Sequence, residues 1–94
     1  MAYRVTIKIT KTDTNPWCFL DSSTAGSQAL TTIGISIDDF DLNPTQAVYI
    51  KDFEDKLACN KFLIKLMTTS TSAMVDEVKT LHQGWKEEIT TEEI

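Results

Sequence analysis

The chain reads as a small, acidic α+β domain, and three observations predict it. Apolar and polar residues alternate from Tyr3 to Thr10, a second β-forming run follows an Asn43-Pro44 turn, and helix-period apolar spacing fills much of the C-terminal half.

Tyr3, Val5, Ile7 and Ile9 alternate with Arg4, Thr6, Lys8 and Thr10, the period of a strand with one face on a core and the other in water. Thr12-Asp13-Thr14-Asn15-Pro16 ends that strand, because proline removes a ladder donor and Asp and Asn favour turns. Trp17, Cys18, Phe19 and Leu20 follow as an apolar block. Asp21, Ser22 and Ser23 are candidate N-caps for a short helix over 22–32, which Gly26 and the Thr31-Thr32 pair weaken. Ile33, Ile35 and Ile37 alternate with Gly34, Ser36 and Asp38 and read as a strand. A further strand over 47–53, with Tyr49, Lys51 and Phe53 on one face, makes a hairpin across Asn43-Pro44.

Residues 54–67 admit two readings. Leu57, Ala58, Phe62, Leu63, Leu66 and Met67 fit a helical face, yet the run from Lys61 to Leu66 also passes for a strand; the gathering of Lys61 and Lys65 on one side favours helix. Ser72 then caps a second helix with Asp76 and Glu77 in its first turn and Met74, Val75, Val78, Leu81 and Trp85 on its apolar face. Glu88 to Ile94 either add a short edge strand guarded by Glu92 and Glu93 or fray.

The order strand, helix, strand, strand, helical region, strand is the split β-α-β arrangement of ferredoxin-like folds, an antiparallel sheet with helices on one face. That order, the chain's size, the pairing across Asn43-Pro44 and the helix-rich C-terminal half resemble the small dimeric α+β barrel proteins, the superfamily of antibiotic biosynthesis monooxygenases and stress-responsive barrel proteins. The resemblance spans the whole chain and rests on no family motif. It implies a homodimer with a pocket between helix and sheet, and chemistry on an aromatic or lactone-like substrate without metal or flavin.

Composition narrows the partners. Ninety-four residues support one thin core, and a second copy is a ready way to bury apolar surface left over, so a homodimer is expected. Fourteen carboxylates against nine Lys and Arg give a net charge of -5, which repels phosphate backbones and anionic lipid. Arg4, the single arginine, leaves no set of bidentate forks for base or phosphate recognition, and 47–53 lacks the glycines and arginine of an RNA-binding sheet, so no nucleic-acid partner is expected. No apolar run approaches the roughly 18 residues of a spanning helix. With a strand starting almost at Met1, the chain reads as cytoplasmic, with no membrane partner. Cys18 and Cys59, 41 positions apart and without metal or redox spacing, read as reduced thiols.

The chemistry-bearing candidates each meet a plainer explanation. Asp39, Asp41 and Asn43 match the start of a calcium loop, but Pro44 stands where Gly is needed and Ala47 and Ile50 where ligands are needed, so no metal is expected. His82, the single histidine, falls at the edge of an apolar stripe near Trp85, where it can face a cleft or pack with its ring half exposed. Trp17, Trp85, Tyr49, Phe53 and Phe62 suit a pocket, a core or a dimer seam. Asn60 interrupts the apolar side of its helix and can reach a ligand or face solvent. The pairs Glu87-Glu88 and Glu92-Glu93 read as a solvated end without the burial that raises a carboxyl pKa. The catalytic candidates are therefore His82, Trp85, Tyr49 and Asn60, with no cofactor expected. The favoured function is a cofactor-free protein-interaction or accessory domain; the alternative is a binder of a small apolar ligand or a cofactor-independent, monooxygenase-like enzyme.

Overall fold

Strand β1 (Tyr3–Thr10) is paired on both edges, antiparallel to β3 (Gln46–Phe53) and to β4 (Lys86–Glu93); β2 (Phe40–Asn43) adds to the outer edge of β3. The sheet order is β2-β3-β1-β4. These elements come from a computed structural model that describes residues 2–69 and 72–94, with side chains other than those of 72–75. Period-two alternation carries through as expected. Val5, Ile7 and Ile9 are buried, and their register partners on β3 include Tyr49 and Ala47, also buried. The opposite face is mostly polar, with Val48 and an exposed Ile50 among its residues, and there Arg4 makes a two-pronged pair with its cross-strand partner Asp52 at 2.7 and 3.1 Å.

Three helices, α1 (Ala25–Ile33), α2 (Lys56–Thr69) and α3 (Ser72–Leu81), complete an α+β architecture around a four-stranded antiparallel sheet. Ile33, Cys59 and Val78, one from each helix, join the strand residues in a common core. The ambiguous stretch is thus helical. Asp55 starts α2 by accepting the Ala58 N–H at 2.9 Å.

The expected strand at Ile33, Ile35 and Ile37 does not form. Ile33 ends α1, and Gly34 takes φ 88°, a left-handed conformation that glycine adopts without strain. Its N–H reaches Thr31 O while the Ile35 N–H reaches Leu30 O, which closes the helix as a Schellman motif. Ile37–Asp39 is a 3-10 turn, and β2 begins only at Phe40. The N-cap of α1 is Thr24, whose hydroxyl accepts the Ser27 N–H, whereas Asp21 folds onto the N–H and hydroxyl of Ser23. Glu77 does not serve its own helix. Its two carboxylate oxygens accept the N–H groups of Ala25 at 2.9 Å and Gly26 at 3.2 Å, which ties α3 to the positive end of α1. The expected Ser72 cap and apolar Met74 and Val75 lie outside the described side chains.

After α3 the chain reverses at Gly84 (φ 65°), where a Cβ would lie 2.5 Å from the Thr12 methyl. The strand that follows is longer than expected, eight residues paired along all of β1. Among the described residues no helix is long and apolar enough to cross a membrane.

Candidate functional site

Polar side chains converge beneath the loop that follows β1. Lys11 continues the core-facing parity of Val5, Ile7 and Ile9, so its ammonium is carried inside, with its side chain wholly buried. Three acceptors surround it: Asn15 O at 2.7 Å, Asp13 O at 2.9 Å and the Asp13 carboxylate at 3.1 Å. That satisfies every proton an ammonium can donate. The indole of Trp17 lies against it at 4.7 Å, and the Trp17 N–H donates to Asn43 O at 2.8 Å.

Asp13 ties this cluster to the end of α3. Its carboxylate accepts the Gln83 N–H at 2.7 Å and the Asn15 N–H at 3.1 Å, and lies 3.3 Å from His82 Nδ1. The Gln83 bond, then Lys11 and His82, hold the Asp13 carboxyl far below the ordinary carboxylate range. His82 is buried at 3% exposure, a correction to the half-exposed ring expected at a helix boundary. Its Nε2 accepts the Cys18 N–H at 3.0 Å, so the ring proton sits on Nδ1 and points at Asp13.

Asp13, His82 and Cys18 thus form an acid–imidazole–cysteine series, but the last link is a backbone N–H. A base must present its second nitrogen to the nucleophile, and here that nitrogen is occupied. Burial, followed by the nearby Glu77 charge, also pushes the Cys18 thiol upward, away from the thiolate that nucleophilic work needs. Cys18 and Cys59 are both free and buried, as read from their spacing. Among the described residues no buried side-chain nitrogen or oxygen is left without a partner. The cluster is a completed structural knot.

The four sequence candidates are not brought to one place. His82 and Trp85 stack at 5.9 Å, with Trp17 at 5.7 Å from the imidazole. Tyr49 lies within the core between Phe40 and Phe62, where burial pushes its hydroxyl upward, and Asn60 is exposed on α2. The aromatics form one chain of contacts, Trp85–Trp17–Phe19–Phe40–Tyr49–Phe62–Phe53, with neighbouring ring centres 5.2–6.3 Å apart. That is core packing at favourable stacking and edge distances.

An apolar cavity of about 80 Å³ opens beside this chain rather than around His82. Ile9, Phe19, Leu30, Val78 and Trp85 line it, with Gly26 at its helical wall and Glu87 as its one charged group. Glu87 is exposed like the rest of β4, but its carboxyl stands at the cavity wall, where partial desolvation pushes it upward, which the reading of a solvated end did not anticipate. Sequence reasoning missed Lys11, Asp13 and Glu87. Parity was the available signal for Lys11 and Glu87, since each falls on the core-facing side of its strand, whereas Asp13 and His82 lie 69 positions apart with nothing local to join them.

Exposed apolar side chains are most concentrated on α2, with Leu20, Ile50 and Leu81 exposed singly elsewhere. Leu57, Ile64 and Met67 on α2 are 63%, 62% and 68% exposed, and all eight residues of β4 are exposed. Comparison with protein-family models, curated proteins and solved structures finds no match.

Proposed function

We propose that the chain is a ferredoxin-like, cofactor-free interaction domain that works as a homodimer. The element order and the sheet order β2-β3-β1-β4 support the ferredoxin-like reading. The observation that carries the interaction reading is the overshoot of α2. At about 100° per residue its apolar residues run from Phe62 through Leu66, Cys59 and Leu63 to Met67, Ile64 and Leu57, an arc of roughly 220° whose second half also carries Lys56 and Asn60. Only the first half of that arc meets the core. An amphipathic helix serving one core needs about half as wide a stripe.

Surface area points the same way. The accessible surface is 5923 Å², whereas a compact folded monomer of this mass exposes about 5,500 Å². A second copy is the occupant that leftover apolar surface on so small a domain accommodates most simply. The outer face of the sheet, where Ile50 is exposed among mostly polar residues and Arg4 and Asp52 are paired to each other, is the poorer seam. Analytical ultracentrifugation of wild type and of Leu57→Ser/Ile64→Lys tests the reading. Wild type sediments as a dimer at micromolar concentration and the variant as a folded monomer; equal sedimentation of the two sinks it.

The cavity favours a second reading, a small apolar ligand whose hydrogen-bonding or cationic end meets Glu87. Titration with benzylamine, followed through the amide resonances of residues around Trp85, tests this. Saturable shifts that Glu87→Gln weakens support it, and their absence removes it.

A further inference from the structure

Two uncovered surfaces of this chain carry opposite charge. Helix α2 holds Lys56, Lys61 and Lys65 and no acidic residue, whereas β4 holds Glu87, Glu88, Glu92 and Glu93 against Lys86. A net +3 on one element and -3 on the other, within a chain of net -5, separates the two signs into distinct patches.

Their placement is also complementary. Phe62 contacts Tyr49 and Phe53 and so marks the β3 side of α2. Leu63 and Met67 lie on the opposite flank, towards β1 and β4 in the sheet order. Register with β1 puts Glu87, Ile89, Thr91 and Glu93 of β4 on the helix-facing side, opposite Ile9, Ile7, Val5 and Tyr3. The β1 residues of that row are covered by the helical layer, and their β4 partners are not. The helix therefore stands as a wall beside a bare floor whose centre is Ile89 and whose ends are carboxylates.

We infer that the second copy docks reciprocally, with the outer ridge of α2 (Leu57 and Ile64, flanked by lysines) laid on the helix-facing side of the other copy's β4. The two α2 helices then lie side by side between two sheets, related by a two-fold axis, and each seam joins the three lysines of one copy's α2 to Glu87 and Glu93 on the helix-facing side of the other copy's β4. Packing α2 ridges directly on each other would oppose six lysines. Pairing two β4 edges would bring eight glutamates together. This inference rests on the homodimer reading and names the surface that reading leaves open.

The experiment uses two charge-reversed full-length variants, Lys61→Glu/Lys65→Glu on α2 and Glu87→Lys/Glu93→Lys on β4. Thr91→Lys/Glu93→Lys substitutes for the second should Glu87→Lys disturb the cavity mouth. Each variant alone opposes like charges in both seams, and its dimer dissociation constant rises at least about tenfold. An equimolar mixture restores both seams, so two weakly associating proteins form a heterodimer of wild-type strength by light scattering. Variants that stay dimeric alone, or a mixture no tighter than its components, overturn the reciprocal seam while leaving the homodimer intact. A wild type that is monomeric throughout overturns both.

Discussion

The His82 knot and the α2–β4 flank are opposite solutions to the same shortage of core. At the knot the chain buries a lysine, a carboxylate and an imidazole and finds a partner for every polar atom. At the flank it leaves Leu57, Ile64, Met67 and a whole strand uncovered. The side chains with the most suggestive chemistry are therefore already spent on holding the fold. The part available to other molecules is the part with no special chemistry beyond shape, apolar area and charge.

His82→Ala should be the most damaging single change. It removes a ring packed between Trp17 and Trp85 and strands the buried Cys18 N–H, together worth about 3 kcal/mol. Urea unfolding measures it, and a loss below about 1 kcal/mol would show that the knot is not structural. The proposed dimer should survive in the folded fraction.

Acid should attack the same place. Because the folded Asp13 carboxyl lies below its unfolded value, the stability it supplies is present in full above the ordinary carboxylate range and is lost as pH falls from about 5 towards the folded value. Unfolding curves of wild type and Asp13→Asn should converge over that range. A gap that stays constant with pH contradicts the assignment.

Glu77→Ala tests the tie between α3 and α1. Loss of an N-terminal acceptor serving two N–H groups should cost about 1 kcal/mol, read by the same titration. The smallest effect on folding belongs to the flank. Ile64→Lys on the exposed ridge should leave the folding free energy of the monomer within about 0.5 kcal/mol while weakening association, so unfolding and sedimentation should respond to it in opposite degrees.

What the sequence made legible follows the same division. β1 was readable because its alternation is regular, and the hairpin because Asn43-Pro44 punctuates it. Ile33, Ile35 and Ile37 misled because a helix end, a glycine turn and a 3-10 turn each deliver one isoleucine towards the core at a spacing that imitates a strand. Asp21 to Ser23 matched the composition of a cap, but the geometry chose Thr24, one residue on. The knot was invisible because it joins Lys11 and Asp13 to His82 and Gln83 across the whole chain, and only the sheet register makes those segments neighbours. The overshoot of α2 was present in the sequence as an apolar arc too wide for one core, and it was the ambiguity of 54–67 that hid it.

The most direct test of the account is the molar mass of the wild-type chain by light scattering across a dilution series in moderate salt. The account predicts twice the 10.6 kDa of the chain at micromolar concentration, falling towards the single-chain value on dilution. A mass of 10.6 kDa at every concentration would contradict it.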